Sequence, residues 1–248
     1  MLTLFRDLFA PPRHLILLAL SAWLGLTLAE RTTEQRGISK ETLNNLVFYG
    51  LSAYIVGGRL LFAATHLSVF VKSPLSLLSP NADLFDPLSA ALAAILAGFI
   101  YGQRQRLPLW PALDSLTPFF ATVAIGLSLT HLAAGTAFGA PTSLPWGIKL
   151  WNATRHPTQI YEFTASLLTL ILLWRKRPVQ RPGFYFLTFT ALTSAWRLII
   201  DGFRGDSILV FGGFRQSQAL AWLVLALSLT AFELMQRRPP TENPAKEN

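Results

Sequence analysis

The stretch TRHPTQIYEF, residues 154–163, sets Arg155, His156, Gln159, Tyr161 and Glu162 at the mouth of an apolar run. These residue types suit chemistry on an anion. An imidazole titrates near neutrality and can take up a proton. A guanidinium grips phosphate through two parallel hydrogen bonds. Pro157 suits the first helical position, where its missing N–H costs nothing. That places His156 at the N-cap and Gln159 at the third helical position. A helix N-terminus adds amide donors and a partial positive charge, so it favours anions. Glu162 lies inside the apolar run, where a carboxylate is costly unless it is paired or functional. The structural alternative is a helix cap with an interfacial tyrosine.

Three other stretches carry polar groups in apolar surroundings. In AWRLIIDGFRGD, residues 195–206, Arg197, Asp201 and Arg204 share one helix face. Arg197 and Asp201 are expected to pair, which leaves Arg204 for a phosphate or for the membrane surface. In YIVGGRLLFAATH, residues 54–66, Gly57 and Gly58 permit close helix approach. Arg59 beside them must face a bundle interior or a wet cavity, with Glu162 and Asp201 as candidate partners. In GLSLTHLAAGTAFG, His131 is either a hydrogen-bonded packing residue or a base. His66 and His14 rank below it.

The composition says what must position these groups. The chain has 248 residues, of which 52% are hydrophobic and 14% charged. Soluble domains carry roughly 25% charged residues. The reading is an all-α, polytopic integral membrane protein with seven transmembrane helices. They are placed at about 14–29, 43–67, 87–102, 113–134, 160–174, 184–203 and 218–235. The first is read as a retained helix rather than a cleaved signal peptide. Residues 1–235 form a single domain, and residues 236–248 a polar tail expected to be disordered. There is no cysteine, hence no disulfide and no thiolate metal site.

The formal net charge is +8, but the basic residues sit in short loops between apolar runs, which argues against nucleic acid. One set of loops and the tail holds twelve: Arg31, Arg36, Lys40, Arg104, Arg106, Arg175, Lys176, Arg177, Arg181, Arg237, Arg238 and Lys246. The opposite side holds seven: Arg6, Arg13, Lys72, Lys149, Arg155, Arg204 and Arg215. The positive-inside tendency then puts the N-terminus outside and the C-terminus in the cytoplasm. TRHPTQIYEF and the loop of Arg204 and Arg215 fall together on the outer side.

These stretches, in this order, resemble the prolipoprotein diacylglyceryl transferase family. RHPTQIYE, residues 155–162, is similar to the family's R-H-P-[ST]-Q-[LI]-Y-E. SKETLNNLVFYGLSAYIVGGRL, residues 39–60, resembles its second span, with Gly57, Gly58 and Arg59 in register. WRLIIDGFRGD is similar to F-R-x-x-x-E-x-F-R-x-x-D, with Asp201 in place of Glu and Arg204 in position. GGFRQSQALAW resembles the opening of the last span through Gly212, Gly213 and Gln218. Two motifs depart. The family's third span has a glycine-flanked His where this chain reads LFDPLSAALAA. The fourth has an Arg where Ser128 stands, and His131 replaces an Asn.

The resemblance implies a bacterial inner-membrane enzyme with its site facing outward. It would move a diacylglyceryl group from phosphatidylglycerol to the thiol of a lipobox cysteine in a prolipoprotein signal peptide, releasing glycerol phosphate. Its partners would be those two substrates and membrane lipids, with no nucleic acid, cofactor or metal. His156 is the expected base, with His131 as the alternative. Arg204, Arg155 and Arg59 would meet the phosphate, Glu162 would orient Arg59 or a substrate group, and Tyr161 would anchor at the interface or hydrogen-bond the headgroup. Gln159, Gly57, Gly58 and Gln218 complete the expected substrate-binding set. The alternative is a relative that binds phospholipid or lipoprotein without turnover, because the third-span His and fourth-span Arg are absent. An unrelated transporter is the third possibility.

Overall fold

The computed structural model describes residues 2–79, 84–175, 181–210 and 213–237. Gly212, Lys176, Arg177, Arg238, Lys246 and the tail beyond residue 237 lie outside them. The chain divides into two compact units, Met1–Ala134 and Gly135–Asn248.

The first unit contains α1 (Leu2–Leu8), α2 (Leu15–Thr33), α3 (Lys40–Thr65), α4 (Leu67–Lys72), α5 (Pro87–Arg104) and α6 (Leu109–Ala134). Local chemistry sets the boundaries. Gly37, at φ +70°, ends the turn after α2. Ser39 then caps α3, its Oγ accepting from Thr42 N–H at 3.1 Å. Asp86 caps α5 by accepting from the amides of Leu88 and Ser89 and from the Ser89 hydroxyl. These bonds, led by the Ser89 hydroxyl, hold the Asp86 carboxyl below its ordinary pKa.

α2 lies along α6, and α3 along α5. Ala29, Leu43, Val47, Ala112, Leu116 and Phe119 form the core between α2, the start of α3 and α6. α6 buries an unusual number of polar residues, but their hydroxyls turn back on their own helix. Ser115, Thr117, Thr122, Ser128 and Thr130 each donate to the carbonyl four residues earlier.

Gly57 and Gly58 sit where α3 meets α5. A Cβ on Gly57 would lie 2.4 Å from Ala93 Cβ, and one on Gly58 would lie 2.4 Å from the Phe85 ring. Both glycines are therefore spacers for helix contact, as small residues are in membrane bundles.

The second unit contains β1 (Ile148–Leu150), β2 (Ala153–Arg155), α7 (Thr158–Trp174), α8 (Phe184–Ile200), β3 (Leu209–Val210), β4 (Phe214–Arg215) and α9 (Gln216–Arg237). α8 packs on both α7 and α9. Gln218 Nε2 donates to Leu198 O at 2.9 Å, and Ser228 Oγ to Thr190 Oγ1 at 2.9 Å. β1 and β2 form an antiparallel hairpin, and so do β3 and β4. Among the described residues two small hairpins interrupt the helices, and the fold is mostly helical. The first turns through Trp151 and Asn152, at φ +51° and +60°, the conformation of a tight two-residue hairpin loop. Trp151 is an unfavourable residue there. Its indole N–H donates to Gly135 O at 2.9 Å and offsets that cost.

All seven expected spans fall on helices. Four are long and apolar enough to cross a membrane: Leu15–Arg36, Lys40–Thr65, Leu109–Ala134 and Gln216–Arg237. The other three, α5, α7 and α8, have 18, 17 and 17 residues. The outward flanks bear exposed Leu, Ile and Trp side chains, including Trp23 and Trp222. The protein is a mostly helical, multi-pass membrane protein.

Two outcomes follow from this packing. Gly57→Leu should lower the thermal midpoint of the detergent-solubilised protein by forcing α3 from α5, an overpacking cost of about 1–3 kcal/mol. Asp86→Ala should also lower it near neutral pH. The carboxyl pKa is depressed in the folded state, so its stabilisation is present above the ordinary carboxylate range and lost as pH falls through the depressed value. The gap between variant and wild type should therefore close in acid, which melting curves across pH will check.

Candidate active site

The centre of the second unit is backbone. Residues 138–142 run between the 153–156 segment and the 203–205 segment. Ala140 N–H donates to Phe203 O at 2.8 Å, Gly205 N–H to Phe138 O at 2.9 Å, His156 N–H to Ala140 O at 3.0 Å and Thr142 N–H to Thr154 O at 2.9 Å. Gly139 pairs with Arg204 and Pro141 with Arg155 as isolated bridges. The approach needs glycine. A Cβ on Gly139 would stand 2.2 Å from His156 O, and one on Gly205 2.8 Å from Gly139 O. His156 and Arg204 thus hang from the two segments that flank Gly139.

The helix start is shifted by one residue from expectation. Pro157 is the N-cap and Thr158 opens α7, with no side-chain cap. Tertiary bonds decide this. Thr158 Oγ1 donates to Ala137 O at 2.6 Å, and Gln159 Nε2 to Thr136 O at 2.8 Å. The amide of Thr158 donates to His156 O, and those of Ile160 and Tyr161 to Pro157 O. Much of the donor set expected for an anion at this helix start is therefore already used.

Arg155 is likewise engaged. Its Nε donates to Leu150 O at 3.1 Å and its Nη1 to Gly139 O at 3.3 Å, with the guanidinium 4.9 Å above the Phe138 ring. It clamps the first hairpin to the central segment.

His156 packs against Phe203 at 5.0 Å and Tyr161 at 6.4 Å between ring centroids. Its Nδ1 is buried without a hydrogen-bond partner among the described residues. The Tyr161 hydroxyl accepts from Trp146 Nε1 at 2.9 Å.

Beside these rings lies a charged cluster. Arg204 does not stand free, as expected, but is the hub of four charges. Its Nε and Nη2 donate to the two oxygens of Asp206 at 2.9 and 3.1 Å. Its Nη1 lies 3.5 Å from Glu162 Oε1 and 3.9 Å from Asp201 Oδ1. Burial opposes the Arg204 charge, but Asp206, Glu162 and Asp201 outweigh it and raise its pKa, so it stays cationic. Asp201 is fully buried, and its expected pair with Arg197 forms at 3.4 Å. At those lengths neither carboxylate oxygen of Asp201 makes a hydrogen bond among the described residues.

The structure thus groups His156, Tyr161, Glu162 and Arg204 in one place. Gln159 and Arg155 brace that place, and Gln218 ties α9 to α8. Gly57, Gly58, Arg59 and His131 belong to the first unit. Sequence reasoning missed Phe203, Trp146 and Asp206. Asp206 stood in the quoted FRGD, and its spacing from Arg204 was the available signal. Trp146 comes close to Tyr161 only through the hairpin.

These features define a class: a multi-pass helical membrane protein with a polar cluster, where an imidazole and a partly buried guanidinium stand on neighbouring segments. The family model for prolipoprotein diacylglyceryl transferase matches residues 14–233, and the chain belongs to that family of transferases. The phosphatidylglycerol–prolipoprotein diacylglyceryl transferase of Geobacter sulfurreducens is 30% identical over 223 residues, covering 85% of each chain. The enzyme of that name from Thermotoga petrophila is 28% identical, over 84% of this chain and 75% of its own. That from Clostridium tetani is 23% identical, over 88% and 90%.

The clamp role of Arg155 makes a testable statement. Arg155→Ala should cost about 1–3 kcal/mol, since two carbonyls lose a charged donor. Arg155→Lys should not restore it, because an ammonium lacks both the fork and the planar face. Thermal unfolding in detergent measures both.

Proposed function

We propose that this chain transfers the diacylglyceryl group of phosphatidylglycerol to the thiol of a lipobox cysteine in a prolipoprotein. Family membership supports this, and one placement carries it: His156 and Arg204 flank Gly139 on a shared backbone scaffold. A thiol has an ordinary pKa of about 8.5, so a base speeds its attack. His156 takes the thiol proton. The sulfur attacks the glyceryl carbon, the C–S bond forms, and the bond from that carbon to the phosphate oxygen breaks. The electron pair leaves on the phosphate, and the proton on His156 passes to it as glycerol phosphate departs. Arg204 balances the charge that grows on the leaving oxygen.

Glu162 keeps Arg204 in place from α7. Tyr161, held by Trp146, offers its hydroxyl to the headgroup. Arg59 and His131 retain the roles that the sequence suggests, a second cation and an alternative base. Arg155, Gln159 and Gln218 serve by bracing the segments around the site, and Gly57 and Gly58 by spacing helices. The reaction needs no cofactor. In this reading the protein has seven spans in the bacterial inner membrane, with the N-terminus and the site outside and the C-terminus inside.

A second reading, lipid binding without turnover, has its own support. The Ser128 hydroxyl, where the family has an Arg, donates to Ala124 O at 2.8 Å and supplies no cation. Residues 84–94 contain no His.

One assay separates the two. Purified protein, phosphatidylglycerol and a lipobox peptide should yield a thioether-linked product by mass spectrometry. Phosphatidylglycerol binding with no product would assign the second reading. Arg204→Ala should cost about 2 kcal/mol or more in transition-state stabilisation, roughly a 30-fold slower transfer. The sidedness has a direct test, because the chain lacks cysteine. In spheroplasts, Thr142→Cys should react with an impermeant maleimide at once, and Gln105→Cys only after permeabilisation.

A further inference from the structure

We infer that Asp206 holds the anion seat of Arg204 and that the lipid phosphate enters by displacing it. This rests on the transfer reaction proposed above. The seat is one whole edge of the guanidinium. Nε and Nη2 of Arg204 meet Oδ1 and Oδ2 of Asp206 at 2.9 and 3.1 Å, the fork that also fits two phosphate oxygens. The remaining edge is engaged at longer range, Nη1 to Glu162 at 3.5 Å and to Asp201 at 3.9 Å.

Two observations make Asp206 the carboxylate that yields. It is the most exposed of the three, with side-chain exposure of 23% against 12% for Glu162 and none for Asp201. It therefore regains most hydration when it leaves. Its backbone also need not move: Gly205 just before it is pinned by its amide to Phe138 O, so a side-chain rotation opens the seat. Asp206 is thus a specificity-determining residue. It screens Arg204 against weak anions and yields to a ligand that offers the same fork together with other contacts.

The test compares wild type with Asp206→Asn and Asp206→Ala in detergent micelles. Calorimetric titration with glycerol phosphate should show binding about fivefold tighter in the variants, the scale of one partly exposed ion pair. In the transfer assay KM for phosphatidylglycerol should fall with it. A purely structural role would weaken binding instead. Unchanged or weaker glycerol phosphate binding in the folded variants overturns the inference. If the Asn variant does not fold, the Ala variant decides. Wild-type turnover with unchanged variant binding leaves the transferase standing and removes the seat. Tighter variant binding without any wild-type turnover does the reverse.

Discussion

The second unit depends on a short backbone ladder. Residues 138–142 bond to 153–156 on one side and to 203–205 on the other. That ladder exists only because Gly139 and Gly205 lack side chains where the segments cross. It holds the backbones of His156 and Arg204 on segments that flank Gly139. Catalytic groups on loops need a rigid scaffold beneath them. Here the scaffold is the end of β2 and two loop segments, stiffened by hydrogen bonds and by the Arg155 clamp.

Charge placement follows from the ladder. Arg204 leaves the 203–205 segment toward α7, where Glu162 waits one turn inside the helix. Asp201 supports it from the end of α8 and Asp206 from the following loop. A partly buried guanidinium without such partners would be costly. With them it is stable, yet one edge is held by an exposed carboxylate. The arrangement keeps Arg204 paired on both edges, the outer one by the most exposed of its three carboxylates.

The first unit solves a different problem. Its helices approach closely through small residues, and its polar hydroxyls are consumed by their own helices. Ser128 is part of that self-satisfied stripe. The RHPTQIYE residues are held by tertiary bonds that need those side chains. The α6 stripe needs only a small hydroxyl.

The sequence by itself determined the helices, since apolar runs of 17–26 residues with short basic loops leave few alternatives. It also marked the polar residues that such a setting makes conspicuous: His156, Glu162, Arg197, Asp201 and Arg204. The Arg197–Asp201 pair was legible from helical spacing alone. Only the tertiary structure decided the rest. The Glu162–Arg204 pair spans 42 positions in the chain, so no local period reveals it. The start of α7 moved by one residue because Thr158 and Gln159 bond to Ala137 and Thr136, contacts outside the helix. Arg155 became a clamp through the chain reversal at Trp151–Asn152, and Arg204 a hub through Glu162, added to its sequence neighbours Asp201 and Asp206. Local pattern reports how a residue suits its helix. Its partners depend on how loops cross, and that is settled by backbone hydrogen bonds and by where the chain can do without a Cβ.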